Sequence, residues 1–210
     1  MKKLWMAALG IFLAVGLTAC QGEGAGESGS TQAASQEGQA AQESGTVHKD
    51  VITIGISSEP NTYHPYNATS TSGDKIYDFI YDRLVYTSYD GTFSSRLADS
   101  WEQSEDGKVI TFHLNPDVKW HDGEPFTAQD MVFAAQVGSA EASTVTRRSY
   151  FSSLEGTDEN GVCTDLSALG VVAADDHTVE YHFKNPVAVS TFLSIDAQRY
   201  YPMPYHLLKD

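Results

Sequence analysis

The chain is poor in cysteine and in positive charge, and it has only one long apolar run. Cysteine occurs at Cys20 and Cys163 alone, too few for the disulfide framework that staples small secreted domains. Lys and Arg number 13 against 28 Asp and Glu, a formal net charge of −15. That sign excludes nucleic acid and direct adhesion to anionic lipid as partners. After Leu17 no stretch approaches the roughly 20 apolar residues that cross a bilayer, so the chain forms no channel by itself. A Gly-x-Ser-x-Gly nucleophile elbow and a phosphate-binding loop are missing. The seven histidines are scattered, without metal-ligand spacing to one another or to cysteine. His113 and His182 fall on strand positions and read as solvent-facing. His121-Asp122-Gly123 reads as a turn before it reads as an acid–base pair. Trp101 and Trp120 read as packing residues. No catalytic residue, cofactor or metal is expected.

What is present begins at the front. Lys2 and Lys3 precede an uncharged apolar stretch from Leu4 to Leu17, and Leu17-Thr18-Ala19 leads into Cys20. A secretory signal has this layout, with an apolar core of about 7–15 residues. The core is short for a membrane span, which argues against an uncleaved anchor. Leu-Thr-Ala-Cys resembles the lipobox of bacterial lipoproteins, in which the cysteine is acylated, so residues 1–20 are expected to be a leader and Cys20 the lipid attachment site. More than one acyl chain is needed for a firm tether. Residues 21–47 are Gly, Ser, Ala, Gln and Glu with no aromatic and no Lys or Arg. Too little apolar side chain is present there to offset ordering entropy, and a flexible acidic linker is expected. With Cys20 acylated, Cys163 stays free, as a small buried or loop residue.

From His48 onward the composition is that of a globular mixed α/β chain. Ile52, Ile54 and Ile56 alternate as on a strand. Thr71-x-x-Asp74 has the form of a capping box, and Ile76, Phe79, Ile80 and Leu84 follow at helical spacing, predicting a helix to about Val85. Tyr89-Asp90-Gly91 signals a turn. Residues 101–103 and 109–114 flank Glu105-Asp106-Gly107 as a hairpin, with Ile110, Phe112 and Leu114 on one face. Thr127-x-x-Asp130 opens a second helix with Met131, Val132 and Ala135 inward. Residues 141–161 are polar and irregular. A second hairpin joins 170–174 to 178–183, residues 188–195 suggest an apolar helix, and Pro204 opens a short final one.

Three stretches taken together carry a resemblance: Leu97-Ala-Asp-Ser-Trp-Glu-Gln-Ser-Glu-Asp-Gly107, Thr111-Phe-His-Leu114, and Val118-Lys-Trp-His-Asp-Gly-Glu-Pro-Phe-Thr-Ala-Gln-Asp130. They resemble the signature region of the extracellular solute-binding proteins of the oligopeptide, dipeptide and nickel class (family 5), the receptors of ABC importers. Glu59-Pro60, the block from Val171 to Pro186 and Pro202-Met-Pro204 extend the likeness over nearly all of residues 48–210. The resemblance implies a periplasmic-binding-protein type II-like α/β fold, two-lobed with an additional small domain. Residues 48–84 and 185–210 are then expected to be part of the first lobe, and residues 85–184 the additional domain. Relatives are much longer, so a second lobe is expected to be missing and the chain to be truncated.

The same resemblance places Ala68, Thr69, Ser70, Thr71 and Ser72 on a loop that lines the ligand cleft, offering main-chain groups to an extended peptide. Tyr150 falls where relatives carry a cleft-facing aromatic. The implied function is capture of a peptide by a monomeric receptor on the outer face of the cytoplasmic membrane, and delivery to ABC permease subunits. Nickel chelates, haem, sugars or opines remain alternative ligands. A ligand sensor without transport, or a secreted hydrolase, are alternative functions.

Overall fold

The structure is a computed structural model and describes residues 51–209. The expected leader (residues 1–20), with Cys20, and the whole of the expected acidic linker (residues 21–47) therefore lie outside the described residues.

The central sheet forms where β-branched and aromatic residues alternate. It contains β3 (Ala98–Gln103), β4 (Val109–Leu114), β5 (Val171–Asp175) and β6 (Thr178–His182) in the order β3-β4-β6-β5, every neighbouring pair antiparallel. The turn between β3 and β4 is held by Asp106, whose carboxylate accepts from Ser104 Oγ (2.6 Å) and the Lys108 amide (3.0 Å). Gly107 supplies the left-handed φ of 72° that the turn requires. Ile110, Phe112 and Leu114 are buried as predicted, joined by Val179 and Tyr181 from β6. On β4 the His113 side chain is half exposed, as the alternation requires. His182 is more covered than expected, and its Nε2 lies 2.8 Å from Glu180. A small separate hairpin, β1 (Val85–Thr87) and β2 (Phe93–Ser95), turns at Tyr89-Asp90-Gly91.

Helix α2 (Ala128–Ser139) packs against β5 and β6. Its first turn carries the carboxylate half of the expected capping box: Asp130 Oδ2 accepts from the Thr127 amide at 2.8 Å. The same oxygen accepts from Trp120 Nε1 at 3.2 Å, and Oδ1 accepts from the Tyr205 amide at 2.8 Å. Asp130 thus ties the Trp120 turn, the start of α2 and the C-terminal segment together. Gly138 lets an aromatic ring lie directly on the helix, since a Cβ there would sit 2.0 Å from Phe151 Cε2.

That ring comes from the segment predicted to be irregular. Residues 141–161 contain a 3-10 turn, Arg148–Phe151, and they bury Phe151 and Leu154 completely. Phe151 stacks on Tyr200 at 5.3 Å, Tyr200 stacks on Tyr181 at 5.4 Å, and Tyr66 meets the edge of Phe151 at 5.3 Å. Each such pair contributes about 0.5–1.5 kcal/mol beyond its burial. The helix expected at 188–195 is present as α3 (Val189–Thr191) running into a π-helical turn, Phe192–Asp196, with Phe192 and Leu193 buried. Pro204 caps the short α4 (Tyr205–Leu208) rather than sitting in its first turn.

Two expectations need correction. Residues 51–56 form no strand, and Ile52, Ile54 and Ile56 are exposed. Alternation makes a strand only where a neighbour takes its backbone hydrogen bonds, and among the described residues none does. Helix α1 (Thr71–Ile80) stops short of Val85, and its buried positions are Ser72, Gly73 and Tyr77. Phe79 and Ile80, predicted inward, are 72% and 43% exposed. The Arg83 side chain, bound to Asp78 and to Tyr201 Oη, turns the chain out of the helix, and Val85 enters β1 instead.

Because Asp130 is only 2% exposed, Asp130→Ala leaves buried donors without a partner. A loss of about 3 kcal/mol is expected, read as a lower urea midpoint at unchanged slope. Gly138→Ala is expected to cost about 1–3 kcal/mol by overpacking against Phe151, in the same assay.

Candidate functional site

The loop before α1 is built by its own polar side chains. Asn61 spans it: its Nδ2 donates to the Asn67 carbonyl and its Oδ1 accepts from the Thr69 amide, both at 3.1 Å. Thr62 Oγ1 accepts from the His64 amide (3.1 Å), and His64 Nδ1 accepts from the Tyr66 amide (3.3 Å). Burial holds the His64 imidazole below its ordinary pKa, which keeps that nitrogen free to accept. From below, Tyr77 Oη donates to the Thr62 carbonyl at 2.6 Å and Tyr66 Oη to the Tyr201 carbonyl at 2.8 Å. The helix cap lies one residue earlier than the motif predicts. Ser70 Oγ accepts from the Gly73 amide at 3.3 Å, while Asp74 turns away to pair with Arg147 at 2.7 Å.

Of the five expected loop residues, Ala68, Thr69 and Ser70 lie on the loop, whereas Thr71 and Ser72 belong to the first turn of α1 because Ser70 caps the helix there. Thr69 and Thr71 are exposed and Ser70 is half-buried. Ala68 is buried, and the buried Ser72 hydroxyl meets Ser58 Oγ at 3.0 Å, so these two offer main chain only. Tyr150 lies on the adjoining segment, which is stitched to the loop. The Thr146 amide donates to Asn67 Oδ1 (2.9 Å) and the Arg147 amide to the Tyr66 carbonyl (3.0 Å). The half-buried Tyr150 ring lies near two guanidinium groups, Arg147 at 5.9 Å and Arg199 at 4.8 Å from its centre. Arg147 thereby touches both Asp74, in the first turn of α1, and Tyr150. Loop and aromatic thus belong to segments that are hydrogen-bonded to each other.

Sequence reasoning missed Asn61, Asn67, Arg147 and Arg199. The adjacent Arg147-Arg148 in so acidic a chain was the available signal. Other candidates are structural. Asp122 accepts from the Glu124 amide (3.2 Å) and pairs with His206 (2.8 Å), whose hydrogen bond holds the Asp122 carboxyl below the usual range. His121 and Asp122 thus belong to a turn, and Asp122 faces His206 rather than His121. Cys163 is free and buried, and burial pushes its thiol up. A concavity of about 340 Å³ lies elsewhere, between the end of α1 and the Trp120 turn, lined in part by Phe79, Ile80, Phe126 and Pro202. Among the described residues no cluster of His, Cys, Asp and Glu is placed to hold a metal ion, and no helix is long and apolar enough to cross a membrane.

Residues 92–208 match the bacterial extracellular solute-binding proteins, family 5 Middle, and the chain belongs to that family. Its members are binding proteins rather than enzymes, and they act outside the cytoplasm. The periplasmic oligopeptide-binding protein OppA of Haemophilus influenzae is 32% identical over 142 residues, which are 66% of this chain and 26% of that protein. The crystal structure of H. influenzae OppA in complex with RPPGFSPFR superimposes with a TM-score of 0.64 at 30% identity, over 72% of this chain and 30% of that one. The substrate-binding domain of an oligopeptide ABC transporter from Bacillus anthracis gives 0.63 at 29% identity, over 70% and 28%. The chain thus spans a quarter to a third of the length of these relatives. The α/β fold implied by the resemblance is the one observed, as part of a periplasmic binding protein.

The neutral His64 ring gives the loop a pH dependence. Its folded pKa lies below the ordinary 6.5, so the unfolded chain takes up the proton first. The loop's stability is complete above pH 6.5 and declines as pH falls from there through the folded pKa. An NMR titration should place the His64 midpoint below 6.5, with amide exchange of residues 66–70 accelerating over the same range, and His64→Gln should remove that pH dependence.

Proposed function

We propose that this chain is the ligand-capturing part of a lipoprotein receptor for an ABC importer, and that its ligand is a peptide. The observation that carries the reading is the braced loop that runs through exposed Thr69 into the start of α1 at exposed Thr71, on a segment stitched to that of Tyr150, in a chain similar to oligopeptide-binding proteins. A rigid loop presents main-chain donors and acceptors that pair with an extended peptide whatever its side chains. Its order is established before the ligand arrives, so little entropy is lost on contact. Residues 48–84 and 185–210 belong, on this reading, to one ligand-facing lobe and residues 85–184 to an additional small domain. A second lobe closes over the ligand, which favours the closed form by touching both sides. No bond is made or broken. The receptor works as a monomer, and Cys20, acylated, holds it at the outer face of the membrane beside its permease.

Two measurements test this. Labelled palmitate should enter the wild-type chain and not Cys20→Ala, which should leave the membrane fraction; equal labelling of both removes the anchor from the proposal. In titration calorimetry or NMR, tripeptides should bind this chain no more tightly than about 1 mM, the level of a one-sided contact worth about 4 kcal/mol. Micromolar affinity for the chain alone would refute the two-sided mechanism, and unimpaired peptide uptake in a deletion strain would refute the transport role.

A further inference from the structure

Arg147 touches three segments at once. Its amide donates to the Tyr66 carbonyl at 3.0 Å, and its own carbonyl accepts from the Tyr150 amide at 3.1 Å. Its guanidinium Nη1 pairs with Asp74 Oδ1 at 2.7 Å, and the group lies 5.9 Å from the centre of the Tyr150 ring. The Thr146 amide beside it donates to Asn67 Oδ1 at 2.9 Å. The main chain here thus holds the loop, while the Arg147 side chain holds the first turn of α1.

The pair with Asp74 is unlike the other arginine ion pairs among the described residues. Arg83 pairs with Asp78, Arg96 with Asp82 and Arg199 with Asp196, each within one turn or one hairpin in sequence. Arg147 and Asp74 are distant in sequence, so their pair fixes one part of the fold against another. Its separation is that of a charge-assisted contact, and the Arg147 side chain is 17% exposed. Asp74 Oδ1 is shut off from solvent and has no hydrogen bond, and among the described residues Arg147 is the one cation paired with it. Without the arginine this oxygen is shielded and uncompensated, which favours any movement that returns it to water.

Thr69 and Thr71 lie on different elements, one on the loop and one in α1. We propose that Arg147 is a positioning residue for the ligand surface: its pair with Asp74 holds the start of α1 against the segment of Tyr150 before a ligand arrives. The inference rests on the ligand-facing reading of the loop and Tyr150. Arg147 acts here through Asp74 and not by touching the ligand. With the pair broken, only part of the population has all three segments in place, and the apparent affinity falls with that fraction.

The test is an NMR titration of the detergent-solubilised full chain, following the amides of residues 69–71 and 149–151. The probes are Ala-Ala-Ala and acetyl-Ala-Ala-Ala amide, the second carrying no charge. Arg147→Gln, Asp74→Asn and the double variant should each weaken binding by about two- to fivefold. The double should be no weaker than either single, because both remove one shared interaction. Arg147→Lys, which keeps the charge and loses the fork, should recover part of the affinity. Should Arg147→Gln not fold, Asp74→Asn and Arg147→Lys carry the same comparison. A purely structural pair would lower the urea midpoint and leave the affinity of the folded protein unchanged. That result makes the positioning role wrong while the ligand-facing loop stands. Weakening by Arg147→Gln for the charged probe alone, with Asp74→Asn at the wild-type affinity, also overturns it, since Arg147 would then touch the ligand. If neither probe shifts residues 69–71 of the wild type, both readings fail.

Discussion

The structure depends on one buried carboxylate. Asp130 is almost wholly enclosed, and among the described residues no cation pairs with it. A buried, unpaired charge is costly unless directed donors replace its water. Asp130 receives three N–H groups from three parts of the chain: the Trp120 indole, the Thr127 amide and the Tyr205 amide. Its place in the first turn of α2 adds the favourable end of the helix dipole. Because each donor is needed, the three segments are held in one arrangement. The Trp120-His121-Asp122-Gly123 turn is therefore a fold device.

From this point the rest is suspended. Fixing Tyr205 fixes the segment before it, which lays Tyr200 between Phe151 and Tyr181 and brings the Tyr201 carbonyl to Tyr66 Oη. Tyr66 in turn anchors the loop that Asn61, His64 and Tyr77 shape from within. Tyr200 Oη donates to the Tyr150 carbonyl at 2.8 Å, so the backbone of the candidate site is held by the same aromatic column. Apolar stacking thus sets the height of the loop and hydrogen bonds set its shape. The site faces solvent, but its supports do not.

Much of this was legible in the sequence, and the failures have physical causes. Both sheet hairpins declared themselves because alternation and turn residues agree locally, as at Glu105-Asp106-Gly107 and Asp175-Asp176-His177. Thr127 and Asp130 announced α2 in the same way. Residues 51–56 misled because alternation describes a strand's faces and not whether a partner is present. Phe79 and Ile80 misled because helical spacing shows that one face is apolar without showing what covers it. Phe151 and Leu154 were hidden because irregular backbone has no period, so burial there depends on contacts distant in sequence. The site was half visible. The resemblance pointed to residues 68–72 and Tyr150, whereas Arg147 and Arg199 meet only after folding, 52 positions apart on either side of two strands.

On the proposed function, affinity and selectivity divide between two sides of a clamshell. A dissociation constant of about 1 mM corresponds to roughly 4 kcal/mol and one of about 1 μM to roughly 8 kcal/mol. If this rigid surface supplies the first half, an opposing lobe supplies the remainder together with whatever closure itself costs. Main-chain pairing at the loop discriminates little between peptides, because every residue offers the same groups. On the proposed reading, discrimination falls to the opposing lobe, whose contacts also decide how long the closed form persists.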